Sequence, residues 1–157
     1  MTLRHLAAGF LVAAGVAVAA PPENYPTAAP DRPPSLSSRY HDYWIDGVEV
    51  AGRLGPKTAP AGQRYVVVRF TARNFDKEPR AVFVGALAAS RAGKVREFVR
   101  VEVIEGYSDK GFHELWMGEV RTIRFAYLLP TDLAHGAELC WEPGRAEGRS
   151  VLLRPAR

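Results

Sequence analysis

The chain has 157 residues, 21 basic against 17 acidic, and a formal net charge of +4. That excess is small and its basic residues are scattered, whereas nucleic-acid binding calls for a basic stripe with interleaved aromatics. A single cysteine, Cys140, excludes an intramolecular disulfide, so the fold must stand on its apolar core alone.

At the start of the chain, Arg4 is followed by an uncharged run from Leu6 to Ala20 rich in Ala, Val and Leu. Ala17-Val18-Ala19 supplies the small-x-small pattern of a signal-peptidase site. Residues 1–19 are therefore predicted to be a signal peptide cut after Ala19, since a cut after Ala20 would place Pro21 behind the scissile bond. The apolar run is about 15 residues, short of the ~20 of a spanning helix. The expectation is an exported bacterial protein, periplasmic or extracellular, with no stable membrane insertion after cleavage; a retained anchor is the alternative. No cysteine lies near the cleavage region, so a lipoprotein-type anchor is not expected. Cleavage removes one arginine and no acid, which leaves a mature charge of +3.

Residues 20–38 hold Pro21, Pro22, Pro26, Pro30, Pro33 and Pro34 and end in Ser-Leu-Ser-Ser. Such a segment cannot run a hydrogen-bonded ladder and has little apolar surface to bury, which predicts an extended, disordered leader. One folded domain is then expected over residues 39–157.

Within that domain the pattern has a period of two. Gly62 launches a run in which Val66, Val68, Phe70 and Ala72 share one face, with Tyr65, Arg69, Thr71 and Arg73 on a wet face. Ile123, Phe125, Tyr127 and Leu129 share a second apolar face, and Val95, Val99, Val101 and Val103 a third. Strands are predicted near 40–51, 63–74, 80–90, 94–104, 119–129, 137–142 and 149–154, with a hairpin connection at Ala92-Gly93-Lys94. Pro130 ends the fifth, and Thr131-Asp132-Leu133 is suited to cap one helical turn. Seven short strands without a long helix predict an all-β fold, an antiparallel immunoglobulin-like β-sandwich; a small antiparallel β-barrel is the alternative. Trp44 or Trp141 is expected between the sheets with Phe70 and Phe125. Cys140, inside a strand, is expected to be a small buried hydrophobe, with an intermolecular disulfide or a reactive thiol as alternatives.

Gly62, Tyr65-Val66-Val67-Val68, Phe70 and Asn74, followed later by Gly118-Glu119, Phe125-Ala126-Tyr127-Leu128-Leu129 and Pro130, form a pattern that resembles a bacterial extracellular immunoglobulin-like family. That family is of unknown function and related in fold to telokin-like domains and the immunoprotective mycobacterial antigen. The resemblance covers about residues 60–140 and implies an exported sandwich. Its motifs are turns and core positions, so it implies no functional residues.

Chemistry-bearing patterns are sparse. No Gly-x-Ser-x-Gly turn surrounds any serine, and Cys140 lies in a strand rather than at a helix start that would activate it, so no enzyme is expected. His41, His113, Met117, His135 and Cys140 are the soft donors; His113 and Met117 would share a face only on a helix. Asp42 with Asp46, and Glu102 with Glu105, are the carboxylates that come nearest to pairs. No cofactor or metal is assigned. The stretch from Glu105 to Gly118 is longer than a hairpin requires and mixes aromatics with charges, as recognition surfaces do. Tyr107, Asp109, Phe112, His113 and Trp116 are its candidate partner-binding residues. The competing role for Phe112, Leu115 and Trp116 is to plug the open end of the sandwich. The functional expectation is a non-catalytic binding or envelope accessory module that recognises another envelope or extracellular protein; the alternative is a periplasmic carrier of a small ligand or of copper.

Overall fold

The computed structural model describes residues 24–82, 84–98, 100–105, 113–143 and 149–155; the predicted signal peptide lies outside them. In chain order the strands are β1 (Leu36–Ser37), β2 (His41–Ala51), β3 (Arg53–Leu54), β4 (Lys57–Thr58), β5 (Gln63–Asn74), β6 (Arg80–Val82), β7 (Ala86–Arg91), β8 (Lys94–Phe98), β9 (Arg100–Glu105), β10 (His113–Leu115), β11 (Val120–Pro130), β12 (Glu138–Glu142) and β13 (Val151–Leu153). One short helix, α1 (Thr131–Gly136), follows β11; its N-cap is Pro130, with no capping side chain, rather than Thr131. None of the described helices is long and apolar enough to cross a membrane.

Two open antiparallel sheets carry the fold, a five-stranded one ordered β1-β2-β5-β11-β9 and a four-stranded one ordered β13-β12-β7-β8. The protein is an antiparallel β-sandwich and not a closed barrel. Its core forms where the period-two patterns meet. Val66, Val68, Phe70 and Ala72 of β5 and Ile123, Phe125, Tyr127 and Leu129 of β11 are fully buried against Leu87, Ala89, Leu139, Trp141 and Leu153 of the other sheet. Of the two tryptophans proposed for this place, Trp141 takes it, with its ring 4.5 Å from Phe70 and 5.7 Å from Tyr43. Trp44 is buried on the opposite face of the larger sheet, where its indole N–H donates to the Arg32 carbonyl at 2.7 Å.

Two predicted strands divide. The run 80–90 breaks around Gly85, which takes φ 73° and lets β6 pair with β10 while β7 joins the smaller sheet. The run 94–104 changes sheets: β8 pairs with β7, and β9 pairs with β11. Val95 lies on the β8 part and is 64% exposed, not on a shared buried face. The hairpin before it is as expected, because Ala92 and Gly93 both take positive φ (50° and 76°), the conformation that matches strand twist in a two-residue loop.

The outer face of the larger sheet is the main departure from the alternating pattern. Tyr65, Val67 and Thr71 are buried there rather than wet. Leu54 and Ala59, in and beside the β3–β4 hairpin, pack on Tyr65 and Val67. The leader runs past Thr71 and Thr122, with Pro26, Ala28, Ala29 and Pro30 beside them. It is extended, as its prolines require, yet docked rather than free from residue 25 onward. The Val120 amide donates to the Pro26 carbonyl at 2.7 Å, Ser35 donates to Tyr43, and Leu36–Ser37 add a short strand to β2. Arg32 pairs with Asp46 at 2.7 Å, and Asp46 also accepts from the Thr71 hydroxyl at 2.7 Å. Asp42 is likewise committed, to Arg73 at 2.6 Å and to the Ser37 hydroxyl at 2.7 Å. Both β2 carboxylates of the expected near-pair therefore fasten the leader and the sheet.

Candidate functional site

One end of the sandwich gathers the β5–β6 turn, the β10–β11 turn, Tyr40 and the leader around a single side chain, Asn74. The strand ends there because Asn suits a turn that bonds its own backbone. Its carboxamide oxygen accepts from the Asp76 amide at 2.8 Å, and its nitrogen donates to the carbonyls of Glu78 at 2.8 Å and Leu115 at 2.9 Å. Its own amide donates to the Glu119 carbonyl, and its carbonyl accepts from Gly118. One fully buried residue thus ties two loops that are far apart in sequence. Asn74→Ala removes three hydrogen bonds to loop backbone, the one to Leu115 fully buried, and is expected to lower stability by about 2 kcal/mol, read from the urea midpoint.

Glu119 secures the second loop. Its buried carboxylate accepts from the Trp116 amide at 2.9 Å and pairs with Arg121 at 2.7 Å. Arg80 secures the first. It hydrogen-bonds Asp76, pairs with Glu78 at 3.0 Å and stacks over the Tyr40 ring at 4.2 Å. The Arg80 guanidinium holds the Asp76 carboxyl below its ordinary value of 3.8. The folded pKa is thus depressed, so this pairing is fully present above 3.8 and is lost as pH falls through the lowered value.

From this frame project two large apolar side chains, Phe75 at 47% and Met117 at 57% exposed. Their loops run side by side, since Phe75 donates its amide to Tyr40 and Gly118 donates to Asn74. Trp116 and Tyr40 are half-buried beside them, and the leader adds Tyr25, whose hydroxyl donates to the Met117 carbonyl at 3.0 Å. Of the candidate partner-binding residues, Tyr107, Asp109 and Phe112 lie outside the described residues. His113 opens β10 and Trp116 borders the exposed pair. Leu115 is fully buried in the core and does plug this end. Phe75, Tyr40 and Tyr25 did not stand out in the sequence. The available signal for Phe75 was an aromatic between Asn74 and the charged run Asp76-Lys77-Glu78.

His113 and Met117 do not share a helical face, because 113–115 is strand. Among the described residues no three His, Cys, Asp or Glu side chains gather as a metal site would require. Cys140 is half-buried on the outer face of the smaller sheet rather than in the core. Partial burial and the neighbouring Glu138 and Glu142 carboxylates push its thiol above the ordinary value, which keeps it protonated and a weak nucleophile at neutral pH.

No family model matches the chain, and no curated protein matches it. Among solved structures it is similar to an uncharacterized β-sandwich protein of Clostridium difficile, at 13% identity and TM-score 0.50 over 75% of this chain and 87% of that one. It is also similar to a conserved hypothetical protein of Bacillus anthracis, at 12% identity and TM-score 0.51 over 76% and 91%. Its likeness is to bacterial β-sandwich proteins. At these identities it is a likeness of fold.

Proposed function

We propose that the chain is an exported, non-catalytic binding module of the bacterial envelope, of the immunoglobulin-like family that its Gly62–Asn74 run resembles, and that it recognises a protein partner through the Asn74 end. The observation that carries this reading is the exposed Phe75–Met117 pair. Two large apolar side chains standing on hydrogen-bonded loops bury substantial area on association at little ordering cost. The half-buried Trp116 and Tyr40 and the charged Arg80 surround them in the mixture that interface patches favour. The candidate residues Tyr107, Asp109 and Phe112 precede β10 in the chain, and β10 leads directly to Trp116 and Met117. Export rests on the sequence of residues 1–19, and the mature chain is expected to begin at Ala20.

A photoreactive residue placed at position 75 in the producing cell is expected to give a discrete higher-mass adduct. The same residue at Arg53, in the hairpin beyond the far end of β2, is expected to give none. Combining Phe75→Ser with Met117→Ser should weaken partner capture at least about 10-fold while shifting stability by no more than about 0.5 kcal/mol, as exposed substitutions do. Equal adducts at positions 75 and 53 would remove the basis for this site.

A further inference from the structure

The outer face of the larger sheet carries a second feature, about 17 Å along β5 from Asn74 at 3.4 Å per residue. Arg69 of β5 and Arg124 of β11 are direct cross-strand partners, and Gly47 of β2 sits on the other side of Arg69. Like charges directly opposite one another destabilise a sheet, yet a third arginine joins them. Arg154, just beyond β13, lines the same groove with Arg69, Arg124, Asp46, Glu49 and Val67, around a volume of about 560 Å3. It directly follows β13, which pairs with β12, and the chain before β13 is tied to β1 by the Arg149 guanidinium donating to the Ser37 carbonyl.

Among the residues that line the groove, counter-charge is short for Arg69 and Arg154. Asp46 is already held by Arg32 and by the Thr71 hydroxyl. Glu49 reaches Arg124 only at 3.7 Å and is largely exposed. Among the described residues, Arg69 and Arg154 have no hydrogen bond or ion pair. Glu105 of β9 is the direct backbone-register partner of Arg124, on the side away from Arg69. The floor is shaped for an occupant as well. Val67 is buried beneath it, and Gly47 sits beside the β2 bulge with open space where a Cβ would stand.

We infer that this groove binds a compact anion bearing at least two oxyanionic groups, phosphate or carboxylate. Guanidinium forks match such groups bidentately and are weakly enough hydrated to give up water for them. A single negative group would leave the Arg69–Arg124 repulsion only half relieved, whereas two groups give each cross-strand guanidinium its own partner. The site is separate from the Phe75–Met117 surface, so either can fail without the other.

The test is calorimetric titration of the full mature chain at low ionic strength with pyrophosphate, citrate and acetate. Saturable binding of pyrophosphate or citrate at one site is expected, with acetate far weaker. Tighter pyrophosphate assigns phosphate chemistry, and tighter citrate assigns carboxylate chemistry. Arg69→Gln and Arg154→Gln should each weaken binding about 10-fold, Glu49→Gln should strengthen it about 3-fold, and Arg96→Gln, on the exposed β8 of the other sheet, should leave it unchanged. Arg69→Gln also ends the like-charge opposition, so its melting temperature should equal or exceed that of the parent. Absence of saturable binding, or an equal loss in Arg96→Gln, would overturn the proposal, the latter by showing only a diffuse response to net charge.

Discussion

Trp141→Ala is expected to lower stability by about 3–5 kcal/mol, the range for emptying a buried aromatic site, a large share of the 5–15 kcal/mol that holds a typical domain together. Trp141 is fully buried, and its ring lies within 6 Å of those of Tyr43, Phe70 and Phe125. The substitution therefore removes the side chain on which both sheets close. Its indole N–H also donates to the Val84 carbonyl at 2.5 Å, beside the break between β6 and β7. Trp141→Phe separates the two contributions. It keeps most of the aromatic contact and loses the hydrogen bond, but the Tyr127 hydroxyl still donates to the same carbonyl at 3.2 Å. A cost of about 1–2 kcal/mol is expected for it. Urea unfolding followed by far-UV circular dichroism serves both variants, since the alanine variant loses a fluorophore. A cost below about 1 kcal/mol for Trp141→Ala would mean that the two sheets do not close on this ring.

The second large effect is expected at Gly85, a position with no apolar side chain to lose. Gly85 takes φ 73°, and a Cβ there would stand 2.2 Å from the Glu142 carbonyl oxygen and 2.8 Å from its carbon. Both obstacles are backbone, so no rotamer change relieves them. Gly85→Ala combines left-handed strain with overpacking and should cost about 2–4 kcal/mol. Gly62→Ala is the control. Its φ is 76°, nearly the same, but nothing lies within 4 Å of its Cβ position, so strain alone should cost about 1–2 kcal/mol. If the two alanine variants show the same urea midpoint, the close approach of β12's end to Gly85 is not a constraint on the fold. A larger effect at Gly85 identifies that approach as what fixes where the chain leaves β6 and enters the second sheet.

Much of the scaffold was legible because it is written in local patterns. The alternation in 63–74 and 119–129 placed β5 and β11 within a residue of their ends, and the inward sets named from it are all fully buried. Asn74 closes the Gly62–Asn74 pattern, but nothing local marks it as the tie between two distant loops. The strand 94–104 was misread as continuous because its alternation runs on across a change of sheet. Period two describes the chain's own pleat and carries no information about which neighbour it pairs with. The bulge in β2 has the same origin: Tyr43 and Ile45 face inward, then Val48 and Val50 do, with the pairing shifted between Ile45 and Gly47.

At the candidate site, the sequence pointed to the segment 105–118 through its length and aromatics, and Trp116 does border the exposed pair. Phe75 and Tyr25 escaped notice because each is one aromatic in an otherwise polar or proline-rich stretch. They matter only because Asn74 and the docked leader bring them to the same end.

Sequence alone determined the sandwich class and the two central strands with their inward faces, because these follow from side-chain alternation and turn chemistry within a dozen residues. Tertiary structure decided the rest. It selected Trp141 over Trp44 for the core, buried Tyr65, Val67 and Thr71 beneath a hairpin and a leader, and set Arg69, Arg124 and Arg154 around one groove. Those outcomes depend on which strands become neighbours and in what register, and that choice is made by packing between segments up to about a hundred residues apart, as when the Tyr25 hydroxyl reaches Met117.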